Sequence, residues 1–321
     1  MMHIGLCADE NFALPLGVCL DSIFESNQGE ELTVHVITQG LSDKTLSRIK
    51  KTEEKYGSPG SVKIYNITDD IFSQYPISDQ FPESIYFRYL YAQLLPDSIE
   101  RIIYIDCDTV VLSCLRELWK IPLDDDILLG AVEDRNGDDI LIRNRIGRWD
   151  GTYFNSGVLL MNLKVWRRLD AFKVLADFIR NNHDICIYPD QDAINVVFAN
   201  RMVRLPYQYN FTISFIEPFD RFRLHLSKKE ELEQAFGKLA IVHFAAEKKP
   251  WHKDSKHPLL FLWHYFHRHS EWHDVKLTNK HSWIHRLMTK IVVLILYPGK
   301  KEWLNPNFRE QLKVYEENYT A

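Results

Sequence analysis

Cysteine is scarce in this chain of 321 residues: only Cys7, Cys19, Cys107, Cys114 and Cys186, an odd count with no Cys-x-x-Cys pair. That excludes a disulfide framework and a zinc ribbon, and it fits a reducing cytosol. Repeats and low-complexity tracts are missing as well. With 45% hydrophobic and 26% charged residues, the composition is that of a folded globular protein. The longest uncharged apolar run, Ile291 to Tyr297, falls far short of the ~20 residues a spanning helix needs. The opening MMHIGLCADENF has acids where a signal peptide has basic and then apolar residues, so a cytoplasmic location is expected. Asn66-Ile67-Thr68 and Asn210-Phe211-Thr212 are then chance sequons.

Acidic residues are absent from a long stretch near the end of the chain. Between Asp274 and Glu302 there is none, while Lys276, Lys280, Arg286, Lys290, Lys300 and Lys301 contribute +6. Taking that +6 out of the formal −5 leaves −11 for the rest of the chain. An anionic body argues against nucleic acid as a partner, and a basic tail points to an anionic surface.

What is present reads as α/β. Short apolar runs alternate with amphipathic stretches: Ile4 to Ala8, a helix through Leu16 to Phe24, Leu32 to Thr38, a helix from Ser42 to Tyr56, and Val62 to Asn66. Such alternation implies βαβ units and a mostly parallel sheet. Further strands are expected at Arg101 to Ile105, Ile127 to Val132, Gly157 to Leu163 and Ala240 to Phe244, with helices over Leu163 to Asn181 and Asp190 to Phe198. Beyond Pro250 the texture turns aromatic, His-rich and finally basic. A catalytic body over 1–272 and an extension over 273–321 are the expected parts.

The sharpest local feature is RIIYIDCDTVVL, an apolar strand that stops on Asp106-Cys107-Asp108. In an open α/β sheet, ligands bind beyond the carboxyl ends of the strands. Alternation along an extended chain sends residues i and i+2 to one side, so both carboxylates can reach one site. Their repulsion, and the several kcal/mol that burying an uncompensated ion costs, is removed by a divalent cation. A solvated strand-to-turn junction is the plain alternative. The segment also resembles the Asp-x-Asp-Thr of haloacid dehalogenase phosphatases, in which Asp106 would be the phosphoryl acceptor and Asp108 the acid/base. That motif belongs on a first strand, whereas about one hundred residues of βαβ-like chain precede this one.

Six segments in order carry a more specific resemblance: CADENF at Cys7, SIYFRYL at Ser84, IYIDCDTVV at Ile103, YFNSGVLLMNL at Tyr153, PDQDAIN at Pro189 and VHFAAEKKPWH at Val242. Over about residues 3 to 270 the chain resembles the glycosyltransferase family 8 enzymes, which include bacterial lipopolysaccharide galactosyl- and glucosyltransferases and the glycogenins. The resemblance implies a GT-A fold, a Rossmann-like nucleotide-sugar-binding sheet flanked by helices, and transfer of a hexose from UDP-glucose or UDP-galactose to lipopolysaccharide or another surface glycan. Asp106, Asp108 and His243 are then the ligands of a Mn²⁺, with Mg²⁺ as substitute, that bridges the donor diphosphate. Cys107 lies within the same motif. Lys249 resembles the lysine on the donor phosphate, and Ala246 stands where the family has glycine. Arg88 matches a donor-binding position. Ala8, Asp9 and Asn11 match the uridine and ribose contacts. Asp134, among the acidic neighbours Glu133, Asp138 and Asp139, and Asn155 with Ser156, match residues around the sugar. Asp190 and Gln191 match its anomeric face, where they carry the catalytic role. A non-catalytic glycan-binding relative is the reading from outside catalysis.

Each of these residues has a plain alternative: Asp9 a cap, Arg88 a surface arginine, Asp190, Gln191 and Asp192 the opening of a helix, His243 a structural histidine. Family members retain anomeric configuration. The favoured route is a front-face one, with Asp190 as a covalent nucleophile the lesser version. Eight of thirteen histidines fall between His252 and His285; interleaved with Trp263, Tyr265, Phe266 and Trp272, they look more like an aromatic packing helix than a second metal site. Residues 276–301 combine six positive charges with apolar residues such as Trp283, Leu287 and Met288. Such a segment either lies on an anionic membrane, where a lipid-linked oligosaccharide is the natural acceptor, or packs on the body.

Overall fold

The structure, a computed structural model, describes residues 1–67, 83–134, 152–215, 228–245, 247–279 and 308–319. Among them ten strands are found: β1 Met2–Cys7, β2 Leu32–Thr38, β3 Val62–Asn66, β4 Arg101–Ile105, β5 Thr109–Val111, β6 Leu129–Glu133, β7 Phe154–Asn162, β8 Met202–Arg204, β9 Phe211–Thr212 and β10 Ile241–His243. The helices are α1 Ala13–Ser26, α2 Asp43–Lys55, α3 Tyr91–Leu94, α4 Arg116–Lys120, α5 Leu163–Arg168, α6 Ala171–Asn182, α7 Pro189–Val197, α8 Lys229–Phe236, α9 Leu260–His269 and α10 Arg309–Tyr319. No helix among the described residues is long and apolar enough to cross a membrane.

Seven strands form the main sheet in the order β3-β2-β1-β4-β7-β6-β8. The β1–β2, β2–β3, β1–β4 and β6–β8 pairs are parallel, as expected from the βαβ texture. β7 runs antiparallel to both β4 and β6, so the sheet is mostly parallel, as expected, with two antiparallel pairings. Residues of β7 are buried on both faces, with Asn162 the first to emerge. A strand of that kind carries no alternation from which direction could be inferred. Apolar clusters cover each face of the sheet, one built with α1 and α9, the other with α5, α6 and residues 86–95.

Local chemistry sets several boundaries. Ser42 caps α2, its Oγ accepting from Thr45 N at 3.2 Å, as its position ahead of Leu46 and Ile49 suggests. The single helix expected over Leu163 to Asn181 is instead two. Asp170 sits between α5 and α6 in the left-handed region at φ 45°, a conformation that aspartate tolerates better than most residues. The break lets α6 turn Ala171, Leu175, Ala176 and Ile179 inward.

A second sheet, β5-β10-β9, stands at the carboxyl end of β4. The chain leaves β4, turns through residues 106–108 and enters β5. Because β10 pairs antiparallel with β5 in the register His243↔Thr109, the last residue of β10 arrives beside the turn. Phe244 N donates to Asp108 O at 2.9 Å, and Asp106 N to Gly157 O at 2.8 Å, so the turn is pinned from both sheets.

The aromatic stretch after Pro250 forms α9, whose His267 stacks on Trp263 and bonds Trp272 O at 3.0 Å through Nε2. Trp272 presses on α1 at Gly17, where a Cβ would lie 2.2 Å from the indole. Most of the basic segment, 280–307, lies outside the described residues. α10 packs on the body: Tyr315 Oη donates to Phe236 O at 2.8 Å.

Candidate active site

Asp106 and Asp108 do converge, by the turn rather than by strand alternation. The intervening Cys107 is buried with its thiol donating to Cys7 O at 3.3 Å. His243 Nε2 stands 3.2 Å from Asp108 Oδ1 and 3.8 Å from Asp106 Oδ2. One ligand atom from each of the three residues falls within 4.8 Å of the others, the one such cluster among the described residues. Two carboxylates and an imidazole are a donor set suited to Mn²⁺. Burial pushes the Asp106 carboxyl above its ordinary range and the nearby Asp108 adds to this, against the pull of Arg88. Burial acts upward on Asp108 as well, but Lys249 and His243 outweigh it and hold that carboxyl well below the usual range. A charged Asp108 beside a proton-attracting Asp106 is the situation a divalent cation resolves.

Two cations already neutralise this cluster in part. Lys249 Nζ lies 2.6 Å from Asp108 Oδ2 and donates to Phe244 O at 3.0 Å. Arg88 is 5% exposed, not a surface arginine, in the helical turns of residues 83–90. Its NH2 meets Asp106 Oδ1 at 3.1 Å, its NH1 meets Asp190 Oδ2 at 3.2 Å, and its guanidinium lies over the Tyr104 ring at 4.7 Å. Tyr104 Oη donates to Asp106 Oδ1 as well.

A cavity of about 280 Å³ opens from the cluster and is lined by Asp134, Asn155, Ser156, Asp190, Gln191 and Lys249 with others. Asp190 Oδ2 accepts from Ser156 Oγ at 2.9 Å, and Gln191 Oε1 from Ser156 N at 3.0 Å. Asp134 Oδ2 accepts from Asn155 Nδ2 at 2.8 Å. Its neighbour Glu133 is turned to Arg204, at 2.6 Å, while Asp138 and Asp139 lie outside the described residues. Asp192 is the helix-opening residue of the plain alternative, its carboxylate accepting from Ile187 N, Tyr188 N and Tyr153 Oη.

On the other side of Arg88 and the acidic pair, a cavity of about 190 Å³ is lined by Cys7, Ala8, Phe12, Ser84, Ile85 and Cys107 among others. Neither Asp9 nor Asn11 lines it. Asp9 caps residues 10–12 through Phe12 N at 3.0 Å, and Asn11 faces a separate cleft of about 420 Å³. Ala246 lies outside the described residues.

Two site residues escaped the sequence reading. Asn210, noted only as a chance sequon, is wholly buried with Oδ1 2.9 Å from His243 Nδ1. Gly157 allows the cluster to close, since a Cβ there would lie 2.2 Å from His243 Cε1 and 2.9 Å from Asp106 Oδ2. Asn210 has no sequence signal of its own. Gly157, next to Asn155-Ser156 in a strand, had one in the rule that a strand glycine marks close approach.

A family model described as Glycosyl transferase family 8 matches residues 3–255. General stress protein A of Bacillus subtilis (strain 168) is 28% identical over 280 residues, covering 86% of this chain and 96% of that protein. A lipopolysaccharide 1,2-glucosyltransferase of Escherichia coli is 25% identical over 286 residues, covering 85% of this chain and 81% of the relative. The crystal structure of galactosyltransferase LgtC with donor and acceptor sugar analogues superposes with a TM-score of 0.74 at 26% identity, over 84% of this chain and 96% of that one. The expected GT-A architecture and enzyme class hold, and these relatives lend nothing to the phosphatase or the purely glycan-binding reading. The position of Asp106 after a fourth strand speaks against the phosphatase too.

Proposed function

This chain belongs to glycosyl transferase family 8, and we propose that it transfers a hexose, glucose or galactose, from a UDP-sugar to a glycan acceptor with retention of configuration. The observation that carries the proposal is the Asp106, Asp108 and His243 cluster between two adjoining cavities that share Arg88 and Lys249. Those three side chains would hold Mn²⁺, or Mg²⁺ in its stead, and such a cation neutralises charge on a departing diphosphate. Lys249 and Arg88 bind the phosphates. Ala8, with Asp9 and Asn11 close by in sequence, receives the nucleoside in the smaller cavity. Asp134, Asn155, Ser156, Asp190 and Gln191 receive the sugar in the larger one, where amide and carboxylate groups match hydroxyls that both donate and accept.

Retention follows a front-face route in this reading. Asp190 Oδ2 already accepts from Ser156 Oγ and faces Arg88 NH1, and two donors on one oxygen blunt it as a nucleophile. Gln191, oriented by Ser156 N, and Asp190 stabilise positive charge at the anomeric centre instead, while the leaving diphosphate takes the acceptor proton. A lipopolysaccharide or another surface glycan, met on the cytoplasmic side, is the acceptor favoured by the relatives. Thermal shift and hydrolysis with a panel of UDP-sugars test the reading. UDP is expected to stabilise the protein only together with Mn²⁺, and one UDP-hexose to be hydrolysed faster than the rest. Stabilisation by phosphate analogues with Mg²⁺, and none by UDP with Mn²⁺, would refute it.

A further inference from the structure

We propose that Asn210 is a positioning residue that fixes the tautomer of His243 and ties the cation-binding half of the site to the sugar-binding half. The proposal rests on the reading of Asp106, Asp108 and His243 as cation ligands.

A backbone donor starts the deduction. Gly157 N lies 2.9 Å from a side-chain atom of Asn155. A backbone N–H only donates, so that atom is the amide oxygen, Oδ1. The other end of Asn155 is then its NH₂, and it lies 2.8 Å from Asp134 Oδ2, a carboxylate oxygen that accepts. Both neighbours therefore demand the same orientation. The Asn210 atom 2.8 Å from Asn155 Oδ1 must donate, which makes it Nδ2. Asn210 Oδ1 is left facing His243 Nδ1 at 2.9 Å. An amide oxygen has no hydrogen to give, so His243 Nδ1 carries the proton and donates it.

The consequence lies at the other ring nitrogen. With Nδ1–H engaged, the neutral imidazole has its lone pair on Nε2, the atom that faces Asp108 Oδ1 and Asp106 Oδ2. A shared cation makes ligands of these atoms, which stand 3.2 Å apart at their closest. Asn210 is buried at 0% exposure, immediately before the two residues of β9, so its amide has nowhere else to turn. The chain of bonds continues from Asn155 to Asp134, which also faces Gln191 Nε2 at 3.4 Å. One fixed run of donors and acceptors thus joins His243 to Asn155, Asp134 and Gln191 of the sugar cavity, and reversing the Asn210 amide would set its oxygen against Asn155 Oδ1.

Mn²⁺ binding to the full-length chain, read from the electron paramagnetic resonance signal of the free ion with and without UDP, tests this in three variants. Asn210→Leu removes the acceptor for Nδ1–H at similar volume. It is expected to weaken Mn²⁺ binding by about 10- to 100-fold, as loss of an outer partner does for metal-bound histidines. Asn210→Asp keeps an acceptor for Nδ1–H and opposes an oxygen to Asn155 Oδ1. Its Mn²⁺ affinity is expected to stay near that of the parent while hexose turnover falls. Parent-like Mn²⁺ affinity in Asn210→Leu overturns the proposal. Equal losses in the Leu and Asp variants overturn it also, because they mark an asparagine that matters only for packing. Should Asn210→Leu fail to fold, a weakened Mn²⁺ affinity in Asn210→Asp alone is sufficient to overturn it. Asp108→Asn separates the two levels: if it too binds Mn²⁺ like the parent, the ligand assignment has failed, and if it alone loses Mn²⁺, only the role of Asn210 has.

Discussion

Replacing Gly157 by alanine adds one methyl group at the point where the two sheets meet, and its effect can be worked out in advance. Gly157 lies within β7 and its φ is not positive, so alanine meets no backbone strain and acts by volume alone. The added Cβ would stand 2.2 Å from His243 Cε1, 2.7 Å from its Nδ1 and 2.9 Å from Asp106 Oδ2. Relieving the closest contact moves the imidazole by about 1 Å, given normal van der Waals separations of roughly 3.5 Å. Neither neighbour is a free end: His243 is tied to Asn210, and Asp106 to Arg88 and Tyr104. Overpacking of this kind costs about 1–3 kcal/mol, or on the order of 2–10 °C in melting temperature for a chain of this size. A displacement of about 1 Å in a reacting constellation lowers turnover by roughly 10²-fold. Mn²⁺ titration, UDP-dependent thermal shift and hexose transfer of Gly157→Ala are the assays. If the variant melts lower yet keeps parental Mn²⁺ affinity, the strain has been absorbed away from His243 and the reasoning fails.

Three further outcomes are expected. Gln191→Ala should leave UDP affinity within a few fold and reduce kcat, because its side chain is assigned to the anomeric centre and not to the nucleotide; a loss confined to UDP binding would contradict the assignment. Arg88→Met leaves Asp106 and Asp190 without their shared guanidinium, and breaking a buried pair in this way costs about 3–5 kcal/mol; denaturant unfolding that shows less than about 1 kcal/mol would refute the bridging role. His35, buried between β1 and β3 with its pKa pushed down to about 4 by burial and by His3, stays neutral in the fold while the unfolded chain protonates below about 6.5. Its contribution is therefore present at neutral pH and lost as pH falls from 6.5 toward 4, by roughly 2 kcal/mol at pH 5. His35→Gln should flatten that part of the stability profile, and an unchanged profile would show the histidine does not titrate there.

The sequence made much of the frame legible because its signals were local. The β1 and β4 runs, the Ser42 cap and the strand that stops on Asp106 each announce themselves within about ten residues. The site motifs were readable for the same reason, each being a short segment next to a strand or helix end. What could not be read depends on partners distant in sequence. β7 is buried on both faces, so periodicity says nothing of its direction. The break at Asp170 interrupts an apolar pattern that continues across it, and only the inward turn of α6 reveals it. Asn210 gains meaning from His243, 33 residues away, and Arg88, matched by resemblance to a donor-binding position, is a buried bridge because of Asp106 and Asp190. Its own neighbours in sequence do not foretell this.

Those long-range dependencies extend to the end of the chain. β10 has three residues and β9 two, too few to hold His243 by ladder bonds alone. Their support comes from the aromatic cluster beneath them. Phe211 and Phe236 stand 5.4 Å apart by ring centroids, and the wholly buried Phe308 closes on Phe236 at 4.7 Å. α10 adds Tyr315, whose Oη accepts from Leu239 N at 2.9 Å, two residues before β10 begins. The strand that delivers the imidazole is thus braced by residues 308–319, although none of them touches either cavity of the site. In a close-packed interior a loosened brace moves the strand it supports. The last described helix therefore belongs to the physical cause of the His243 geometry as fully as the Asp-x-Asp turn does.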